Sequence, residues 1–69
     1  MKIYKALTHM RKGKIARCKR SFFAIDEDGN LVRINRDKLT IKGIATLSGR
    51  AFATDKWWLL NERPVKEKE

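Results

Sequence analysis

The sequence has one cysteine, one histidine, one proline and no acidic residue among its first twenty positions. Each scarcity excludes something. A lone Cys18 cannot form an internal disulfide. With a lone His9 and no paired-cysteine motif, it cannot complete a tetrahedral zinc site either. An unpaired thiol fits a reducing compartment, so a cytoplasmic location is expected. The longest apolar run is too short to span a bilayer, and no hydrophobic segment follows the basic start as in a signal peptide, so no membrane partner is expected. Catalysis also lacks its parts. His9 is the single side chain suited to act as a base near neutral pH, and it falls among cations on a helix. No GxxxxGK[ST] or GxGxxG loop is present. Asp26, Glu27 and Asp28 cluster, but in a turn, where Asp and Gly serve the backbone. Neither an enzyme nor a cofactor is expected.

What is present is a small domain with a strongly uneven charge. The 69 residues are 42% apolar, enough for one core but near the lower limit for independent stability. With disulfide and zinc excluded, self-association as a dimer or tetramer is the available reinforcement. The net charge is +9 at pH 7. Lys2, Lys5, Arg11, Lys12, Lys14, Arg17, Lys19 and Arg20 carry almost all of it, without a compensating acid. A helix stabilised for its own sake mixes signs at i,i+4. Like charges this close favour an anionic partner, although a basic helix exterior also occurs as a plain solvated face.

In chain order, Lys2–Lys12 reads as a short amphipathic helix. Ile3, Ala6, Leu7 and Met10 share one face, with Lys2, Lys5, His9 and Lys12 opposite. Gly13 stands where a left-handed C-terminal cap belongs. The period then changes to two over Lys14–Arg20, a strand. Ser21–Asn35 reads as a hairpin around Asp26-Glu27-Asp28-Gly29-Asn30. Arg36-Asp37-Lys38 makes another turn, and Leu39–Lys42 a third strand ended by Gly43. At Ile44–Thr54 either Ser48-Gly49 turns the chain or Ser48 caps a short helical turn through Ala53. Trp57–Leu60 reads as the last strand. The expected fold is α+β, one N-terminal helix packed on an antiparallel sheet of about four strands. Residues 1–60 form the domain, and 61–69 a charged, flexible tail.

The candidate site residues are arginines and aromatics. Arg17 and Arg20 have planar forks suited to phosphate, and planes that stack on bases. Phe22 and Phe23 are adjacent, as are Trp57 and Trp58, so strand geometry sends one of each pair to the core and the other outward. The outward members serve either as oligomer contacts or, beside the arginines, as a stacking slot for a nucleobase. Cys18 is expected buried and inert, and His9 at the surface.

The order Tyr4, Ala6-Leu7, Met10, Gly13-Lys14, Ile15, Arg17 and then Phe22-Phe23 resembles the opening of a family of small phage domains. Ala53-Thr54-Asp55-Lys56-Trp57-Trp58 is similar to that family's closing turn. The family includes the second type of Thoeris anti-defence protein. Two differences are visible: a Phe stands where the family usually has its first Trp, and Lys56 separates Asp55 from Trp57. The resemblance implies a helix-plus-sheet domain that oligomerises in the host cytoplasm. It would bind a cyclic nucleotide immune signal, of the cyclic ADP-ribose or cyclic oligonucleotide type, without cleaving it. The roles it implies fall on Arg17, Phe22 or Phe23, Asp55, and Trp57 or Trp58. Two other functions fit the charge: a nucleic-acid-binding module, and a phage inhibitor docking on an acidic host protein.

Overall fold

A computed structural model describes residues 1–65. Helix α1 (Ile3–Arg11) leads into strands β1 (Ala16–Cys18), β2 (Ser21–Ile25), β3 (Leu31–Ile34) and β4 (Ile41–Ile44), then a short helix α2 (Gly49–Ala53) and strand β5 (Trp57–Leu59). The strands form one antiparallel sheet in the order β4-β3-β2-β1-β5. The fold is therefore α+β, a helix packed on a five-stranded antiparallel sheet. The sheet has five strands where about four were expected, and the β1–β2 connection is a tight hairpin of its own. Cys18 pairs with Ser21, leaving Lys19-Arg20 as a two-residue turn with Lys19 at φ 56. The strand expected over Lys14–Arg20 is consequently only three residues long.

The helix ends as its sequence dictates. Gly13 takes φ 86, and its N–H bonds the Met10 carbonyl at 3.0 Å. Ala6 and Met10 are fully buried against the sheet, with Ile3 and Leu7 packed beside them. In the sheet, Ala16, Cys18, Phe23 and Trp57 meet the helix. Phe23 and Trp57 pack with ring centroids 5.7 Å apart and planes inclined at 49°. The Trp57 indole N–H donates to the Ala51 carbonyl at 3.0 Å, which ties α2 to this core. Ser48 caps α2, its Oγ accepting from the Ala51 N–H, so the helical alternative for this stretch holds.

The other face of the sheet carries a second cluster, Ile15, Ala24, Val32 and Ile34, with Phe22, Leu39 and Leu60 packed against it. No helix covers it. The chain after β5 does so instead. Leu60 N–H donates to the Ile15 carbonyl, Ile15 N–H to the Glu62 carbonyl, and Val65 N–H to the Leu39 carbonyl. Thr40 and Val65 form a parallel bridge, so this strap runs from the β5 edge back to the start of β4. Of the residues expected as a solvated tail, Asn61, Glu62, Arg63 and Val65 are exposed, while the backbone of Glu62 and Val65 pairs with Ile15 and Leu39. The rest of that expected tail, 66–69, lies outside the described residues.

Three further expectations change. The strand expected from Leu39 begins at Ile41, because Leu39 turns through φ 58 to pair with Asn35 and Val65. Gly43 does not end the strand but sits within it, opposite Arg33. Its φ of 149 accommodates the register shift between Arg33 and Ile34. His9, expected at the surface, is half-buried, and its Nε2–H donates to the Leu60 carbonyl at 2.7 Å.

Candidate ligand site

Register across the sheet sets which side chains can act together. Trp58 on β5 pairs with Arg17 on β1, Arg17 pairs with Phe22 on β2, and Phe22 with Ile34 on β3. Directly opposed residues share a face, so these four form one row on the face away from α1. Within it the Arg17 guanidinium lies over the Trp58 ring, its carbon 4.5 Å from the ring centroid. Such a contact contributes about 0.5–1 kcal/mol at an exposed position. The guanidinium donors lie in the group's own plane, so stacking leaves them uncommitted. Among the described residues Arg17 makes no hydrogen bond or ion pair. Trp58 is half exposed and Phe22 half-buried. The arrangement is a cation stacked on one aromatic, with a second aromatic opposite it on the next strand, and with its hydrogen-bonding edge available to an anion.

The seven residues singled out in the sequence therefore divide. Arg17, Phe22 and Trp58 meet on one face. Phe23 and Trp57 lie on the opposite face, buried at 6% and 1% exposure against α1. The two-residue period of the strands separates them from the Arg17 row. Arg20 is exposed in the β1–β2 turn, and Asp55 is exposed ahead of β5. Both sit at the same end of the sheet, since Cys18 pairs with Ser21 on one side and Trp57 on the other. No ion pair joins them among the described residues. Asp55 serves the fold through its backbone: its carbonyl accepts from the N-terminal ammonium of Met1, and the Met1 carbonyl accepts from Trp57 N–H.

Of two hollows on the described residues, neither is lined by Arg17, Phe22 or Trp58. Along the row exposure falls from Trp58 at 49%, through half-buried Arg17 and Phe22, to Ile34 at 4%. One hollow lies between the Asp26–Asp28 turn and the strap at Arg63, Pro64 and Val65. The other is bordered by Lys19, Arg33 and Arg50, a set the sequence reading did not assemble. These cations are distant in sequence, and only the sheet register and α2 bring them together. The acids of the Asp26–Asn30 turn are structural in part, because Asp26 Oδ1 accepts from the N–H groups of Asp28 and Asn30. No described helix is long and apolar enough to cross a membrane. No group of three or more His, Cys, Asp or Glu among the described residues is placed to hold a metal.

No family model matches the chain, and comparison with curated proteins and with solved structures likewise finds no match.

Proposed function

We propose that the chain is a non-enzymatic binder that sequesters a cyclic nucleotide signal of the cyclic ADP-ribose or cyclic oligonucleotide class. In this reading it is a phage-type anti-defence protein, working as a homo-oligomer in the host cytoplasm. The observation that carries the reading is the Arg17–Trp58 stack beside Phe22. Arg17 offers a pre-oriented fork for phosphate, and the remaining surface of Trp58 offers a plane for a base. Base–aromatic stacking contributes about 1–3 kcal/mol per base and is tolerant of base identity. The reading is one of binding without turnover, and the single histidine, His9, is committed to the Leu60 carbonyl.

Oligomerisation suits the open row. Trp58 at one edge of this face, and Ile41 and Ile44 at the other, are 44–70% exposed. A second copy packed here would convert an open row into a closed slot and cover apolar surface at the same time. The test is a thermal-shift panel of cyclic ADP-ribose isomers and cyclic di- and trinucleotides, with native mass spectrometry for stoichiometry. The expected result is a higher melting temperature with at least one of them, abolished by Arg17→Ala in a protein that still folds. A panel without any shift removes the reading.

A second reading, binding of single-stranded nucleic acid, is favoured by the openness of the row, since an extended polymer needs no pocket. It predicts affinity for oligonucleotides that falls steeply with salt, at a slope set by the phosphates contacted. A cyclic ligand held by Arg17 alone predicts a shallow slope.

A further inference from the structure

On the side of the sheet that faces the helices, a cleft of about 260 Å³ opens between the β1–β2 turn, Arg33 on β3 and the segment from Thr46 to Thr54. Its floor is apolar, formed by Cys18, Phe23, Leu47 and Ala51. Three cations, Lys19, Arg33 and Arg50, border it, and no acidic residue does. None of the three makes an ion pair or hydrogen bond among the described residues. Their mutual repulsion is thus uncompensated among the described residues. Hydroxyls complete the lining. Ser48 Oγ and Thr54 Oγ1 accept from the N–H groups of Ala51 and Lys56, which leaves each O–H free to donate outward.

Lys19 adds an independent observation. It occupies a two-residue hairpin turn at φ 56, a conformation that glycine or asparagine adopts at lower cost. A residue kept in a strained conformation points to use of its side chain. At this position of the turn the lysine borders the cleft.

We propose that this cleft is a binding site for a phosphate monoester or diphosphate, separate from the Arg17–Trp58 row. Residues 17 and 18 alternate in β1, so Arg17 and the cleft residue Cys18 face opposite sides of the sheet. The proposal does not rest on the cyclic nucleotide reading. The volume sets the size class: pockets for drug-sized ligands occupy about 300–1,000 Å³, so this one suits a phosphoryl group with little attached inside the cleft. Three cations favour a dianion over the single charge of a diester.

The test is titration of the full chain with inorganic pyrophosphate at roughly physiological ionic strength, followed by amide chemical shifts. The expected result is saturable binding with shifts confined to the β1–β2 turn, Arg33 and the Thr46–Thr54 segment. Lys19→Gly and Arg50→Ala should each weaken it about tenfold or more, and Arg17→Ala should leave it unchanged. Lys19→Gly is the decisive variant, because glycine relieves the turn. Its melting temperature should hold or rise while affinity falls, which separates lost binding from lost folding. Adenosine 5′-monophosphate should compete with pyrophosphate, and 3′,5′-cyclic AMP, a diester, should compete about tenfold less well or not at all. Shifts scattered over every basic residue, affinity unaltered in Lys19→Gly and Arg50→Ala, dependence on Arg17, or equal competition by the diester would each overturn the proposal.

Discussion

The two faces of the sheet begin from nearly the same residues and end with different duties. Phe22 and Phe23, Trp57 and Trp58 are neighbours of identical type, yet Phe23 and Trp57 are sealed under α1 while Phe22 and Trp58 flank Arg17 in the open. What separates them is the cover. A helix with a continuous apolar stripe covers the Phe23–Trp57 part of the first face and leaves the cleft beside α2, whereas a short strap of chain crosses the second. Under α1 the first face serves stability, and the second retains exposed aromatic and cationic groups. Truncating the two tryptophans tests this division most strongly. Trp57→Ala should cost about 3–5 kcal/mol, as for other large-to-small changes in a core. A domain of this length holds on the order of 3–10 kcal/mol, so the variant should be largely unfolded or melt far lower. Trp58→Ala should cost about 1 kcal/mol or less, as for surface changes without special features. Chemical denaturation of both gives the answer, and equal losses would mean that the second face is structural after all.

The covers meet at Gly13, where the end of α1 touches the strap. Arg63 Nη1 donates to the Lys12 carbonyl at 3.3 Å, and a Cβ on Gly13 would lie 2.8 Å from that same Nη1. Gly13→Ala should cost about 1–2 kcal/mol through its positive φ. Adding Arg63→Ala distinguishes strain from crowding. The arginine tip is flexible, so its removal should restore little; full recovery in the double variant would show that crowding was the cause. His9 makes the other link between the covers, through the Leu60 carbonyl. His9→Ala should lose about 1 kcal/mol, a typical net hydrogen bond, and should increase hydrogen exchange at Ile15 and Leu60, whose amides bind the strap to β1. Unchanged exchange there would mean that the strap holds without the helix.

Local signals in the sequence carried the elements, and pairing over longer distances was harder to read. The Asp-Gly turn, Gly13 after a basic last turn and the alternation of the aromatic pairs are each decided within a few residues, and each was readable; Ser48 as a helix cap was one of two alternatives for its stretch. The β1–β2 turn was not, because Lys19-Arg20 has none of the Asn or Gly that normally marks a left-handed turn position. Leu39 at φ 58 hid the start of β4 for the same reason. The strap 60–65 escaped because Leu60, Pro64 and Val65 stand among charges without any period, and its bonds run to Ile15 and Leu39 far back in the chain. For the site, Arg17, Phe22 and Trp58 could be named individually, but their assembly depends on the register of three strands. Arg33 and Arg50 gave no signal, since isolated arginines in a basic protein look alike until the fold gathers them.

The smallest expected effect bears on the feature that distinguishes the second face, the stacking of Arg17 on Trp58 at 4.5 Å. A double-mutant cycle of Arg17→Ala, Trp58→Ala and the pair should give a coupling of about 0.5–1 kcal/mol in the free protein, the value for an exposed cation–π pair. Because the contact is neutral in its count of ions, with no carboxylate involved, the coupling should change little between low and high salt. An ion pair would weaken with screening. The controls separate the parts of the interaction. Arg17→Lys keeps the charge but loses the planar fork, and should retain less than half of the coupling. Trp58→Phe keeps a ring of weaker quadrupole and should retain an intermediate share. A coupling near zero would mean that Arg17 moves freely over the surface, and the guanidinium would then not be pre-oriented for an anion. In that case ordering it would fall to the ligand, and the affinity expected of this face would drop by the cost of immobilising one long side chain, about 0.5–1.5 kcal/mol.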